Sequence, residues 1–558
     1  MPVRVVDYLV QAVGALGVRH VFGVGGANIE DLYDALHAAG GPVTGVVAKH
    51  EFAAATMADG YARTGAGLGV VCATSGGGAM NLVAGLAESR ASRVPVLALV
   101  GQPPRALEGR GAFQDTSGLA GTFDAAALFG SFAVYCARVE TPDALPGHLT
   151  RAVAAARAGG PAVLLLPKDV QQAESIAAAF DPPLPVHTCD HAALERVRDA
   201  LLRARTAGKI VIIAGDQVAR DDARARLATL ASVLDAAVGV TPEAKDVYGH
   251  DEAGYCGIAG SMGHPELIDA VRGAALCLLV GTRLPVTART GLDELLGAVP
   301  VASVGAEVPY PDSLHAGTDD LDTALATLVA ECRTGSTLST VRGARSVTPL
   351  AVPPAAGPGL RYHDIVETIS AALEPGTDVF ADAGNTGASV VHHLRLPHGG
   401  RFVVALGMGG MGYAFGAGIG SAFARSARPT GPPRRTVVIA GDGAFYMHGL
   451  ELHTAIEHRL PVTVVVFNNN AHAMCVTREQ QYYGDHYSYN RFRRADLGAG
   501  LAAMFPGLPT FSPETTTELT AALRHCFATA GPSFVSIDCD PDEIPPFTPF
   551  LPEQRRHP

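Results

Sequence analysis

The chain has 558 residues, 48% apolar and 17% charged, with a formal net charge of −12 and no basic block. This is an ordinary globular composition with room for about three domains on a prior of ~150 residues each. The charge has the wrong sign for bulk contact with nucleic acid or an anionic membrane. Nine scattered cysteines without a CxxC pair read as reduced core residues. An amino terminus without a signal-peptide pattern, and apolar runs short of the ~20 residues of a membrane span, predict a soluble cytoplasmic protein.

Up to about residue 168, helical periods at 5–17, 28–39, 51–64 and 79–89 alternate with the apolar runs VRHVFGVGG, GVVAKH, LGVVCATSGGG and VPVLALVG, and PAVLLLPKDV follows. Such alternation specifies a parallel sheet covered by helices and assigns a first domain to residues 1–175. Residues 171–190, with Pro182, Pro183 and Pro185, read as a linker. A second unit at 190–333, through KIVIIAGDQVA, ALCLLVGTRL and PVASVGAE, predicts a smaller doubly wound domain. Residues 333–360, rich in Ser, Thr, Pro, Gly and Ala, read as an exposed connector. The third unit, 360–545, opens at RYHDIVETISAAL and carries DVFADAGNTG and RFVVALGMGGMGYAFGAGIGSAFA, and PPFTPFLPEQRRHP reads as an extended tail. The expected fold class is α/β, with three doubly wound parallel-sheet domains, the first and third sharing a coarse plan.

The most informative stretch runs from Thr436 to Asn470. TVVIA and VTVVVF suit buried parallel strands, and 444–459 between them has helical spacing. A right-handed βαβ crossover brings Asp442 and Asn468–Asn469 to one carboxyl edge of a sheet, where open α/β sheets hold ligands. Gly441 and Gly443 permit a tight turn, and a helix starting at Ala444 offers free N–H groups to an anion. One carboxylate, one amide oxygen and nearby main-chain oxygens suit Mg²⁺, which completes its octahedron with phosphate oxygens and water. A bare GDG is also a common turn, and NNN a common polar loop. Here twenty-four residues lie between Gly443 and Asn468.

GDG followed at that interval by NN resembles the signature of thiamine-diphosphate (ThDP) enzymes. The resemblance implies metal binding by Asp442, Asn469 and the carbonyl of Ala471. Upstream, His50-Glu51, DGYAR at 59–63, ATSGGGAMN at 73–81, Gly101-Gln102, AFQDT at 112–116 and PKDV at 167–170 resemble the pyrimidine-binding domain of the acetohydroxyacid synthase and pyruvate oxidase group. The domains would then be pyrimidine-binding, central and diphosphate-binding. On local grounds Glu51 is a helix-dipole complement worth ~0.3–1 kcal/mol. By the resemblance it bonds the aminopyrimidine ring nitrogen N1′, favouring the imino tautomer through which the cofactor's own 4′-nitrogen takes the thiazolium C2 proton. His50 would stand behind it.

The same likeness makes Met411 the apolar wedge under a bent cofactor, with the Gly409 carbonyl receiving the 4′-amino group. It places Gly384, Asn385 and Thr386 on the diphosphate, beside the turn Gly441, Asp442, Gly443 and Ala444. Phe113 and Gln114 would border the reacting carbon. Since Glu51 and the metal loop come from different subunits in such enzymes, the resemblance implies a homo-oligomer, dimer or dimer of dimers, with shared active sites.

Other features narrow the reading. GMGGMG at 407–412 also satisfies GxGxxG, but no acidic residue stands about 20 positions on, where a nicotinamide-dinucleotide ribose needs one. Where FAD-binding members carry an Arg-containing Phe-Asp-Asp stretch and an Asp-rich strand, this chain has LPVTART and VASVGAEVPY; only Arg283 remains as a dinucleotide contact, which argues against bound FAD. The adjacent histidine pair of pyruvate-decarboxylase-like members is replaced by EGRGAFQDTSG. The acceptor-pocket tryptophan of acetohydroxyacid synthases is replaced by Arg478, in a chain with no Trp. Arg478 either pairs with Glu479 or Asp485 in solvent or binds an acceptor carboxylate or phosphate. Met474 lies on the same stretch and is counted with the substrate residues. His472 is either structural or a proton shuttle, and His392 and His393 are expected on a helix exterior or at a subunit contact.

The implied activity is Mg²⁺/ThDP-dependent decarboxylation of a 2-oxo acid, most simply pyruvate, with C–C ligation to a carbonyl acceptor. The alternatives are a ThDP-dependent C–C lyase or hydrolase, a simple 2-oxo-acid decarboxylase, a nucleotide-linked dehydrogenase, and an inactive cofactor-binding subunit. A scaffold has no chemical need for Glu51, which argues against the last.

Overall fold

The computed structural model describes residues 3–175, 179–184, 186–333, 346–427 and 434–551. Pro185 of the expected linker, residues 334–345 of the expected connector and the tail from 552 lie outside them.

Three six-stranded sheets, parallel throughout, form three α/β layers. The first contains β1 (His20–Gly23), β2 (Thr44–Val47), β3 (Gly69–Ala73), β4 (Val96–Gln102), β5 (Tyr135–Arg138) and β6 (Pro161–Pro167), in the order β2-β1-β3-β4-β6-β5. The second contains β7 (Lys209–Ala214), β8 (Ala237–Val240), β9 (Tyr255–Ile258), β10 (Ala274–Val280), β11 (Val301–Gly305) and β12 (Leu314–Gly317), ordered β9-β8-β7-β10-β11-β12. The third contains β13 (Asp378–Ala381), β14 (Phe402–Val404), β15 (Thr436–Gly441), β16 (Val462–Asn468), β17 (Thr510–Phe511) and β18 (Ser533–Asp538), ordered β14-β13-β15-β16-β18-β17. The first and third sheets follow one permutation, the shared plan seen in outline in the sequence. The strand order of dinucleotide-binding folds occurs in the second sheet, away from GMGGMG.

The central strands are largely buried and rich in Val, Ile, Leu and Ala, as helices on both faces require. Helices α1 (Glu51–Tyr61) and α2 (Gly77–Ala91) belong to the first domain, and α3 (Asn385–His393) and α4 (Tyr413–Ser426) to the third. α1 and α4 cross at small residues. A side chain on Gly416 would collide with Ala53 and Thr56, one on Gly420 with Met57, and one on Gly60 with Ala417. Glycine here allows two backbones to approach more closely than any side chain permits.

Two local expectations need correction. The helix predicted over 444–459 starts at Asp442 and is broken: α5 (Asp442–His448) gives way to a 3₁₀ turn at Gly449–Glu451 and a short helix at Leu452–Glu457. Gly449 lies at the break, against the Phe445 ring, and the turn re-aims Glu451 at the first domain. His392, expected on a helix exterior or at a subunit contact, is buried within the chain where the second and third domains meet. Its Nε2 accepts from the Leu350 N–H at 3.0 Å, its Nδ1 lies 2.9 Å from the Met262 carbonyl, and its ring stacks on His264. Among the described residues no disulfide joins any of the nine cysteines, and no helix is long and apolar enough to cross a membrane.

Candidate active site

At the first sheet's carboxyl edge the chain leaves β2 and turns at His50 into α1. The His50 Nδ1 accepts the Phe52 N–H at 3.0 Å and so caps the helix. Glu51 is the first helical residue and is 9% exposed. One of its oxygens, Oε2, accepts Asn81 Nδ2 at 2.9 Å, and the other lies 3.1 Å from where a side chain on Gly78 would begin. The loop after β3 closes the same corner. Thr74 Oγ1 donates to Gln114 Oε1 at 3.0 Å, Asn28 Nδ2 donates to Ser75 Oγ at 2.7 Å, and Gln114 packs on Gly76. Gln114 has φ +58, the left-handed conformation that side-chain-bearing residues avoid. Phe113 beside it is 73% exposed. Glu51 and Gln114, distant in sequence, therefore share one edge.

The third sheet's carboxyl edge gathers the other expected residues. Asp442 follows β15 and is fully buried, yet among the described residues neither carboxylate oxygen makes a hydrogen bond. Burial lifts its carboxyl to about 7 against the opposing pull of the Asn469, Gly443 and Ala471 N–H groups nearby. Asn469 follows β16. Its Nδ2 donates to the Tyr362 hydroxyl at 2.9 Å, and its Oδ1 accepts the Ala471 N–H at 3.0 Å, which leaves that oxygen one lone pair. A buried carboxylate short of donors, beside an amide oxygen with spare capacity, fits a hard divalent cation.

Around this pair, Gly384 (φ +95) opens α3, and the Thr386 hydroxyl stands 3.4 Å from the side-chain position of Gly441. Asn385 Oδ1 is buried without a hydrogen bond. Gly384, Asn385, Thr386, Gly441, Gly443 and Ala444 thus lie at one edge, with the exposed N–H groups of two helix starts, a setting for a diphosphate. Met411 Cε is 3.4 Å from the side-chain position of Gly443, where the His472 ring also presses. His472 Nδ1 is buried without a partner, and burial lowers its basicity. Gly409 has φ +64 and no neighbour at its side-chain position, so its backbone is open to a ligand. Met474 is half-buried on α6 (Ala473–Tyr482), and Arg478, one turn on, is exposed. Arg478 forms no ion pair among the described residues: Glu479 is buried and bonds Asn490 instead, so the expected pairing with Glu479 or Asp485 is absent.

Tertiary structure adds residues that no motif indicated. Asp382, at the end of β13, accepts the N–H groups of Gly412 and Ala414 at 2.9 Å each, tying the Met411 loop to the sheet. Its burial holds the carboxyl up at about 6. Tyr362 fixes Asn469, and Glu543 accepts the Tyr362 N–H at 2.9 Å. A carboxylate directly after a buried strand was a usable signal for Asp382, but Tyr362 and Glu543 carry none. Arg283 lies over the Tyr310 ring at 4.4 Å. The two edges stay separate in one chain: among the described residues no hydrogen bond or ion pair joins Glu51 or Gln114 to Asp442, Asn469 or Met411.

Comparison with known proteins gives this geometry a family. Residues 3–121 match the thiamine pyrophosphate enzyme N-terminal TPP-binding domain, 194–302 the thiamine pyrophosphate enzyme central domain, and 382–537 the C-terminal TPP-binding domain. The probable acetolactate synthase large subunit of Methanocaldococcus jannaschii is 27% identical over 579 residues, covering 97% of this chain and 93% of its own. The acetolactate synthase large subunit of Parasynechococcus marenigrum is 29% identical over 510 residues, covering 86% and 78%. Benzoylformate decarboxylase from Polynucleobacter necessarius shares the fold, with a TM-score of 0.81 over 97% of this chain and 99% of that one at 19% identity. The chain belongs to the thiamine-diphosphate-dependent enzymes of the acetohydroxyacid synthase and pyruvate oxidase group.

Proposed function

We propose that the protein decarboxylates a 2-oxo acid, pyruvate in the simplest case, and joins the remaining fragment to a carbonyl acceptor, with ThDP and Mg²⁺ as cofactors. The observation that carries this reading is the shared edge of Glu51 and Gln114, in a chain that aligns with acetolactate synthase large subunits along nearly its whole length. ThDP, when bound, supplies a thiazolium carbon that stabilises the charge left by loss of CO₂.

The chain's own residues supply the rest. Glu51, oriented by Asn81, holds a proton at the aminopyrimidine ring nitrogen. Asp442, Asn469 and the Ala471 carbonyl bind the cation, and the glycine turn with the α3 and α5 amino ends faces the diphosphate. Met411 with Gly409 shapes the bed for the rings. Phe113 and Gln114 border the reacting carbon, and His472, with a free Nδ1, exchanges a proton with substrate oxygens. Met474 lines the acceptor side, where Arg478 is free for a carboxylate or phosphate.

Exposed apolar side chains surround both edges, Val47, Met80 and Phe113 at one, and Met408, Tyr446, Met447 and Leu450 at the other. A surface of that kind suits a second copy of the chain, with Glu51 of one subunit completing the Asp442 edge of the other.

The test is mass spectrometry of purified protein given ThDP, Mg²⁺ and pyruvate, with and without aldehyde and oxo-acid acceptors, beside Glu51→Gln. New C–C products that need pyruvate and Glu51 establish the ligation. Release of free aldehyde alone assigns a decarboxylase, and consumption of acyloins without any oxo acid assigns a lyase; either overturns it.

A further inference from the structure

A cavity of about 1000 Å³ opens where the three domains meet. It is lined by Arg63 and Arg157 from the first domain, Arg220 and Lys245 from the second, and Arg401 from the third. None of the residues assigned to the thiamine centre lines it. Arg63 lies just past the far end of α1 from Glu51, about 18 Å along the axis at 1.5 Å per residue.

Lys245 is the unusual group in this wall. It is 9% exposed, and its ammonium group makes no ion pair among the described residues. Its Nζ donates to the main-chain carbonyl of Val391 and stands 5.8 Å from the Phe402 ring centre. The neighbouring carboxylate, Asp246, is engaged by Arg401 at 2.6 Å and by Arg224. The other titratable groups facing Lys245 are imidazoles: His250, His264, His392 and His393, all held below their ordinary value by burial. They supply no anion near neutrality. Buried lysines are normally paired, and one left without a counter-charge is either costly or used.

Carboxylates line the rest of the wall as well, among them Asp216, Asp221, Asp222 and Asp320. Arg220 pairs with Asp221 at 3.6 Å, whereas the Arg157 guanidinium donates to the Pro183 carbonyl and forms no ion pair among the described residues.

We propose that this cleft is a second ligand site, separate from the thiamine centre, at which the Lys245 amine condenses with the carbonyl group of a small anionic aldehyde or 2-oxo acid. The nitrogen lone pair adds to the carbonyl carbon, the two amine protons leave with the carbonyl oxygen as water, and a C=N bond remains. The step is neither oxidation nor reduction and needs no co-reactant. The anionic group of the ligand provides the counter-charge that Arg157 lacks. In support, burial brings the Lys245 amine down to about 7, so a large share is unprotonated and nucleophilic at neutral pH.

The chain has only four lysines, Lys49, Lys168, Lys209 and Lys245, which makes the test clean. Full-length protein with ThDP and Mg²⁺ is incubated at neutral pH with pyridoxal 5′-phosphate, an anionic aldehyde, reduced with borohydride and mapped by peptide mass spectrometry. Lys245 is expected to label about tenfold or more faster than exposed Lys209, because unperturbed lysines are almost wholly protonated at that pH. Pyruvate at millimolar concentration should slow the labelling of Lys245 and spare Lys209. Lys245→Met, which keeps the bulk and removes the charge, should fold and lose the fast label. Labelling confined to Lys49, Lys168 and Lys209 in the wild-type protein overturns the proposal, as does a Lys245 label that pyruvate leaves unchanged.

Discussion

Glu451 accepts the main-chain N–H of Lys49 on both carboxylate oxygens, at 3.2 and 3.0 Å, across 402 positions of sequence. Glu451 is almost wholly buried, and its Oε1 also accepts the Thr454 hydroxyl at 2.6 Å. Three residues before it, the His448 ring stacks on Phe52 at 4.4 Å and presses on Gly412. The segment that follows Asp442 therefore grips the residues on either side of Glu51 in the same chain. If active sites are shared between subunits, this grip joins the two halves that one chain gives to different sites.

Removing it should misplace Glu51 without touching it. Glu451→Ala is expected to cost about 1–3 kcal/mol of stability, since buried N–H groups lose their acceptor, and to lower turnover further than that loss explains. Urea denaturation gives the first quantity. Hydrogen exchange at the Lys49 amide gives the second cause directly, and unchanged exchange there would show that the grip is dispensable.

Asp442 makes the cation-free protein sensitive to pH. Its folded value of about 7 lies above the ~3.9 of an unfolded aspartate. The folded state therefore binds the proton more tightly, and its stabilising contribution is full below about pH 4 and lost as pH rises to about 7. Asp382 and Glu543, raised to about 6 and about 7, act in the same window. The decisive quantity is thus the difference from Asp442→Asn, expected to be more stable than wild type by about 1–4 kcal/mol at pH 8 without cation. Mg²⁺ with ThDP should reverse that order. Cation binding should also release a proton near pH 6, visible as a buffer-dependent calorimetric heat.

Glu51→Gln should bind ThDP and Mg²⁺ as the wild type does and lose about 10²–10⁴-fold in turnover, the usual range for a positioned acid–base group. Calorimetric titration with ThDP and a turnover assay separate the two effects. Full activity in this variant would remove the role given to Glu51.

Gly416→Ala should fail to pack. The added carbon would stand 2.6 Å from the Ala53 carbonyl oxygen, a backbone atom with nowhere to move at the α1–α4 crossing. Overpacking of that kind costs about 1–3 kcal/mol or more, measured as a lower melting temperature than Gly500→Ala. Gly500 has nothing near its side-chain position.

Arg478→Ala should raise the KM of a charged acceptor and leave release of CO₂ from pyruvate alone unaltered. Steady-state kinetics with a charged and an uncharged acceptor distinguish this from a general loss of function.

Legibility followed the range of the interactions. The strand ends at Asp442 and Asn469 were readable because a βαβ unit is local: its handedness places both ends at one edge. The break in the helix after Asp442, at Gly449, is not legible locally, because Glu451 beyond it meets the Lys49 N–H of a loop 402 positions away. His392 was misplaced for the same reason, since its partners Met262 and Leu350 belong to other segments.

By itself, then, the sequence determined three doubly wound α/β units and their order, because strand and helix periods and βα turns are written in neighbouring residues, and its motifs carried the resemblance from which the thiamine-diphosphate residues are proposed. Only the tertiary structure decided which groups pack against the proposed centre and which lie apart from it. Tyr362 on Asn469, Asp382 on the Met411 loop, Glu451 on Lys49 and an unpaired Lys245 over Phe402 arise where separately specified domains pack. The partners in such contacts are chosen by shape, burial and the need to satisfy buried polar groups, and no local period records that choice.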